Sequence, residues 1–499
     1  MKRAVVPCTP ESFYDSVYSR KTDHFHIFYT LSGPNQTTED FVDSVAENAE
    51  LAYQIYSSQM RFRPPQGDNI AFHYQQNVEN GLYPIEIIDI DQLRGTQFYL
   101  AGKCHGCYGL TVPADSDPHK SELFLDNDFR YTPKNNAIKD TLLVDGKKCI
   151  YDIADQELEN EAHGYSYADQ WDKGIRVTIF HELYHAIQLR YLDFTSHWTF
   201  WFEASASGME EITAPDIDDY FAYLPRMFRS AGTPLDEMAE DYGAGIFLIY
   251  LYNHVDKSAD KFIWESFEKN PNAPFNEQLE KLAKSKEITP DSLFHDFAAR
   301  LSFSGKRSQF VDSTYWVTAD EKDWPDFNYQ ANGKNIPIIP KLEDFSYQYH
   351  SYGKPDFEDY VGKVSMIAYK GVQAKIYSVR TSNEADSLYI AMNLIPSVDS
   401  IAWIFSRFGD SQIPTIVKDS SIRAYPVPWR QGDLCFTPLP HGKKFIEIRN
   451  RRGDLIIREK YEKQTHCIDE GQVKKMMAPG VYRFRIGNSG RTHDFIIIY

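Results

Sequence analysis

No run of about 18 apolar residues occurs anywhere in the 499 residues, so no membrane-spanning helix is expected. A long apolar run is also missing near the start. "MKRAVVPCTPESFYDSVYS" opens basic, but its apolar segment is only Ala4 to Val6 and stops at Pro7, too short for a secretory signal. A cytoplasmic setting therefore stands as an alternative to export. Positive charge is scarce: 53 Lys and Arg against 71 Asp and Glu give a net charge of −18. That argues against nucleic acid and anionic membranes as partners, since both are bound through clustered Lys and Arg. Cysteine is sparse too, with six in the chain. An even count permits disulfides without showing them. Cys104 and Cys107 form a solitary "CHGC". A structural zinc site of four ligands wants a second close pair, and none exists, so a loop disulfide or plain thiols is the preferred reading. Tandem repeats and low-complexity tracts are absent.

What is present is ample material for a core: 42% hydrophobic residues with 25% charged exclude wholesale disorder. "HFHIFYTLS" (24–32) reads as a strand, and "TTEDFVDSVAENAELAYQIYSSQ" as a long amphipathic helix. Thr38 is its candidate N-cap, and Phe41, Val45, Ala49 and Tyr53 share a face. "YPIEIIDID", "GCYGLTVPA" and "SELFLDND" read as further strands. From Trp171 the pattern becomes helical, with segments at 171–191, about 199–212, 216–229 and 238–254, then 258–268 and "TPDSLFHDFAARLSF". Past Gly305 the helical periodicity stops. "DEKDWPDFNYQANGKNIPIIPKL" reads as an irregular linker. Short alternating runs follow: "KVSMIAYKG", "AKIYSVRTS", "DSLYIAMNLI", "IAWIFSRFG", "KFIEIRNRRGDLIIREKY" and "GVYRFRIGNSGRTHDFIIIY". They suggest one or two β-sandwich modules. The embedded Arg452-Gly453-Asp454 sits where a hairpin turn belongs.

The chemistry lies in "RVTIFHELYHAIQLRY" (176–191). His181 and His185 are four apart, a little more than one helical turn, so both project from nearly one face, with Glu182 beside them. This is the H-E-x-x-H arrangement, in which two imidazoles bind zinc and the glutamate acts as base. The flanking residues are apolar, and a buried polar triplet in such a helix is costly unless a metal satisfies it. A third ligand must come from elsewhere. "TFWFEASASGMEE" follows, and a helix returning after a short loop would bring Glu203 beside the two histidines. Asp193 and His197 are alternatives, placed by the sequence in the intervening turn. Glu210 and Glu211 read as the solvated end of the second helix, with one of them a candidate for supporting a ligand. Gln188 and Tyr191 stand where a metzincin would need Gly and His. The plain alternative to a metal site is a helix with solvent-facing His and Glu.

"HELYH…WFEASA" resembles the gluzincin clan of zinc metallopeptidases, and more narrowly a group of secreted bacterial gluzincins with a β-rich C-terminal half. The correspondence covers about residues 24–305. The resemblance implies zinc bound by His181, His185 and Glu203, water activated by Glu182, and a peptide or protein substrate. Phe202 stands where the thermolysin and aminopeptidase pattern has Asn, so inferences tied to that Asn do not transfer. Many gluzincins stabilise the oxyanion with a downstream Tyr or His. Tyr242 in "AEDYGAGIFLIYL" is the candidate, its alternative being an ordinary helix-start aromatic. The last sixty residues are similar to C-terminal sorting domains of bacterial type IX secretion. That implies secretion machinery as a partner and an extracellular or cell-surface location. The alternative is simply a small terminal β-sandwich.

The expected architecture is multidomain α+β. Residues 1–305 form a metallopeptidase domain, β-rich to about 170 and helical from 171. Residues 306–340 are a linker, 341–440 a β-rich module, and 441–499 a small β module. Two rival functions remain: a zinc hydrolase of a non-peptide amide or ester, and a surface adhesin or binding protein whose metal site is structural or degenerate.

Overall fold

The computed structural model describes residues 6–497 apart from 9–15, 91–105, 134, 136–137, 145, 161–162, 198, 238–240, 327–341, 352–359, 381, 394–397, 410–422, 426–430, 438, 440–443, 451–452, 464 and 487–491. The chain divides into two compact units, Met1–Ser230 with Leu235–Thr289, and Ala231–Pro234 with Pro290–Tyr499.

The first unit is built on a five-stranded mixed sheet. Its strand order is Tyr18–Lys21, Phe25–Tyr29, Tyr83–Ile88, Asp117–Asp126, Gly109–Ala114. Every residue of the second and third strands is buried, as inner strands covered on both faces require. Helix α1 (Glu39–Tyr53) begins where Thr38 accepts a hydrogen bond from the Phe41 amide at 3.2 Å, and it buries Phe41, Val45 and Ala49. It packs with α2 (Trp171–Gln188). Ala71, Tyr74 and Val78 from a loop form a core with Phe28, Ile88 and Phe124 of the sheet. At the N-terminal end, Val6–Pro7 runs parallel to Lys147–Ile153, and a disulfide joins Cys8 to Cys149.

Helix α2 is buried from Gly174 to Gln188 apart from Arg176, which explains its apolar sequence. Helix α3 (Trp201–Thr213) returns beside it. The stretches read as single helices at 216–229 and 238–254 are broken. The first is a 3-10 turn (Asp219–Ala222) followed by α4 (Leu224–Arg229). The described part of the second is a 3-10 turn (Asp241–Ala244), α5 (Gly245–Tyr250) and a π-turn (Leu251–Val255). Helices α6 (Ala259–Lys269) and α7 (Phe275–Ser285) complete the unit. Helix α7 was not read from the sequence, although Phe275, Leu279, Leu282 and Ala283 carry the helical spacing.

One buried carboxylate pins three of these helices. Asp260 on α6 accepts from Trp201 Nε1 at 2.6 Å, from Trp264 Nε1 at 3.1 Å and from the Tyr184 hydroxyl. Burial raises its pKa to about 6, against the pull of these three donors. Asp260→Ala strands three donors, and an unsatisfied buried donor costs about 1–3 kcal/mol. We expect a loss of at least about 3 kcal/mol, seen as a lower urea midpoint; a midpoint unchanged from wild type would contradict the pinning role.

In the second unit a four-stranded antiparallel sheet has the order Ser346–Ser351, Ser400–Arg407, Lys363–Lys370, Gln373–Val379. Helix α8 (Pro290–Leu301) lies on one face, where His295 bridges Ser406 at 2.7 Å and Ser365 at 2.8 Å. The sequence had grouped this helix with the catalytic half. The other face carries α9 (Ser382–Asn393), whose Ala385 joins Val364, Met366, Trp403 and Phe405 in one core. This corrects the reading of "DSLYIAMNLI" as a strand. Ala385, Leu388, Tyr389 and Met392 follow the i, i+3, i+4, i+7 pattern, and Glu384 caps the Arg380 amide at 2.9 Å. This part is therefore a helix-covered sheet.

The C-terminal part is a two-sheet β-structure. Strands Arg423–Tyr425, Leu434–Thr437 and His466–Ile468 form one sheet; Lys444–Asn450, Leu455–Tyr461, Gly480–Ile486 and Thr492–Ile497 form the other. Leu434, Phe436, Ile446, Ile448 and Phe484 share one core. It therefore begins before residue 441. Helix α10 (Glu470–Met476) and a Cys435–Cys467 disulfide complete it. Gly453 takes a positive φ of 93° in the hairpin where the Asp454 carbonyl accepts from the Asn450 amide, so this Gly is a turn residue. Arg452 lies outside the described residues, as does most of the expected linker. Among the described residues no helix is long and apolar enough to cross a membrane, and no cysteine is free. Cys107 is disulfide-bonded and so offers no thiolate to a metal; Cys104 lies outside the described residues.

Candidate metal centre

His181 and His185 lie one turn apart on α2, and α3 brings Glu203 against them. The two Nε2 atoms are 2.9 Å apart, and each is 3.4 Å from Glu203 Oε2. Ligands about 2.0–2.1 Å from a tetrahedral zinc lie about 3.3 Å apart, so these spacings fit one shared ion.

The outer nitrogens explain which atoms face inward. His181 Nδ1 meets Glu210 Oε1 at 2.5 Å, and His185 Nδ1 meets Gln188 Oε1 at 2.7 Å. The Gln188 amide is oriented by its own donations to the Phe202 carbonyl and Ser205 Oγ, both at 2.9 Å. Both Nδ1 atoms thus donate, and the Nε2 lone pairs of the neutral rings converge. Glu203 Oε2 is buried without a hydrogen bond. Three electron pairs meeting in a buried space repel unless a positive charge sits among them.

The protonation tendencies agree. Burial lowers the basicity of His181, but Glu203 and Glu210 overcome this and raise its pKa well above the ordinary value. Burial acts to raise the pKa of Glu203, yet the two histidines hold it well below the usual carboxylate range. The same negative surroundings that favour a proton on these groups would favour a metal cation among them. The residues present therefore fit a zinc ion.

The cluster opens onto a cavity of about 810 Å³. Glu182 lines it, held on the helix whose Glu182 carbonyl accepts from Thr111 Oγ1 at 2.6 Å. Thr111 belongs to Gly109–Ala114, one of the two edge strands of the sheet among the described residues. Gly109 is needed there: a Cβ would fall 2.5 Å from Thr178 Cγ2 and 2.8 Å from Glu182 Cγ. Tyr242 also lines the cavity, its ring stacked on His181 with centroids 5.7 Å apart. Burial first, then Glu203, raise its pKa, so the phenol keeps its proton. The small residues after Tyr242 permit this approach. A Cβ on Gly245 would lie 2.8 Å from the Ala204 carbonyl, and one on Gly208 would lie 2.8 Å from the Gly245 carbonyl. Helices α3 and α5 therefore touch backbone to backbone.

The structure thus brings His181, His185, Glu203, Glu182 and Tyr242 to one cavity. Asp193 instead turns back on Thr195, bonding its amide at 2.8 Å and its hydroxyl at 2.6 Å. Glu210 and Glu211 are 7% and 5% exposed, so the reading of a solvated helix end is corrected. Glu210 lies two turns beyond Glu203 on the same face, a spacing visible in the sequence. The part played by Gln188 was not read from the sequence.

No protein-family model matches the sequence, and no curated protein matches it. Among solved structures, similarity is found to PorZ, described as an essential bacterial surface component of the type-IX secretion system of Porphyromonas gingivalis. That similarity has 15% identity and a TM-score of 0.14, and covers 19% of this chain and 14% of that one. So small a likeness carries no inference about this chain.

Proposed function

We propose that this chain is a zinc-dependent peptidase of gluzincin type. The observation that carries the reading is the convergence of two Nε2 lone pairs and a carboxylate oxygen that accepts no hydrogen bond, beside a cavity. His181, His185 and Glu203 would hold the metal, which when bound would act as a Lewis acid toward the substrate carbonyl. Glu182 would take the proton from the attacking water and return it to the leaving amine. Tyr242 would donate a hydrogen bond to the oxygen on which negative charge develops. An extended peptide laid along Gly109–Thr111 would add a strand to the sheet edge, which favours a peptide over a compact ester. A structural zinc site is closed by four ligands, whereas the candidate group among the described residues has three and faces a cavity, which weighs against the adhesin reading. The paired cysteines Cys8–Cys149 and Cys435–Cys467 fit an oxidising, extracellular or cell-surface setting. Delivery there through the C-terminal β-structure belongs to the same proposal.

Elemental analysis should find one zinc per chain. Cleavage of a quenched fluorescent peptide should stop with chelator and return with zinc, and a parallel panel of esters and non-peptide amides should be poorer substrates. A protein that takes up no transition metal on reconstitution, or whose peptide cleavage ignores chelator, would sink the proposal. Faster turnover of the ester panel would reassign the substrate.

A further inference from the structure

We propose that Tyr223 is a positioning residue for the reaction: its ring, stacked on that of Tyr242, holds the Tyr242 phenol where negative charge develops. This deepens the hydrolase reading above and rests on the part given there to Tyr242.

A phenol can serve a developing oxyanion only from one place. Its hydroxyl lies beyond two rotatable bonds, and a change of χ1 well would carry it away from the metal candidates. The Tyr242 hydroxyl is turned toward them, with Glu203 acting on it as a hydrogen-bond partner. The Tyr242 ring lies nearly parallel to two neighbours. The His181 ring is 18° from parallel with centroids 5.7 Å apart, and the Tyr223 ring is 22° from parallel with centroids 5.0 Å apart. Both separations fall in the range of offset-stacked pairs. Of the two partners, His181 is a candidate metal ligand and Tyr223 is not.

The backbone sets the two tyrosines at fixed points. Tyr223 ends the 3-10 turn Asp219–Ala222, its amide donating to the Tyr220 carbonyl at 3.1 Å. Its own carbonyl accepts from the Met227 amide at 3.2 Å, where α4 begins. Tyr242 lies in the 3-10 turn Asp241–Ala244. The residue after it brings the two turns together. A Cβ on Gly243 would lie 3.1 Å from Met227 Cβ and 3.4 Å from the Tyr223 carbonyl oxygen, so a side chain there would press on α4 and on Tyr223. Both tyrosine rings are half-buried and line the cavity, so the stack forms part of the cleft wall.

The test uses full-length, zinc-loaded protein and a quenched fluorescent peptide. Tyr223→Leu removes the ring and Tyr223→Phe keeps it. A misplacement of about 1 Å costs about 100-fold, so Y223L should lower kcat by about 10- to 100-fold with KM changed by less than about 3-fold. Y223F should hold kcat within about 3-fold of wild type. Tyr242→Phe removes the donor itself, at about 10²- to 10³-fold in kcat. In that background Y223L should cost less than about 3-fold more, because no hydroxyl is left to place. Unchanged kcat in Y223L, with KM raised or not, overturns the inference. So does a loss in Y223F as large as in Y223L, which would assign the hydroxyl and not the ring, and so do losses that multiply in full in the double variant. All three leave the peptidase reading intact. Tyr223→Met takes the place of Y223L should that variant misfold. Should wild type cleave no peptide, the peptidase reading fails by itself, and crystal structures of the variants decide. A Tyr242 ring displaced in Y223L but not in Y223F supports the positioning role; an unmoved ring in Y223L overturns it.

Discussion

Glu182→Gln should lower turnover of a peptide substrate by about 10²- to 10⁴-fold, the usual contribution of a general base, while zinc content stays at one per chain. The substitution keeps the side chain's size and removes only its ability to accept a proton. The three atoms that would hold the metal belong to other residues, and both Nδ1 contacts, to Glu210 and Gln188, are untouched. The space around Glu182 is tight, since Gly109 leaves no room for even one more carbon beside its Cγ. An isosteric amide therefore tests the chemistry with little change of packing. Full activity in this variant would refute the hydrolytic mechanism, whatever the metal content.

Glu203→Gln should fail in another way. It replaces the anionic oxygen facing both histidines with a neutral amide. The cluster then offers two neutral imidazoles and a carbonyl oxygen, a poorer match for a dication. Loss of a supporting partner beyond the ligands typically costs 10- to 100-fold in metal affinity, and loss of a ligand should exceed that. Activity should fall as a consequence and be partly restored by excess zinc, which should do nothing for Glu182→Gln. Zinc affinity equal to wild type, measured by competition with a chromogenic chelator, would mean that Glu203 is not the third ligand.

Much of this centre could be read from the sequence because its main parts are local. Two histidines four apart need only a helix to share a face, and Glu203 needs only a short loop and a return. The supporting atoms follow a different logic. Gln188 acts because its amide spans from α2 to the Phe202 carbonyl and Ser205 on α3, a contact that no periodicity encodes. Tyr223 reaches the cavity from the end of a turn that the sequence had presented as unbroken helix. The same distinction runs through the fold. The inner strands and α1 declared themselves by apolar pattern and by Thr38. Helix α9 was misread because Leu388, Tyr389 and Ile390 look strand-like in isolation; its four-residue cap and the position of Ala385 carried the better signal. Helix α8 was recognised as a helix but grouped with the wrong partner, since pattern shows that a face is apolar and not which sheet will cover it.

The Cys8–Cys149 bond gives the first unit a covalent topology worth following. It closes a ring from residue 8 to residue 149, and that ring contains all five strands of the central sheet and α1. A single backbone break anywhere inside it yields no separate fragment: both new ends stay tethered through sulfur to the segment that leads into α2. A chain proposed to live among peptide-cutting activity, its own included, can thus be nicked within the ring without shedding the sheet that frames its cleft.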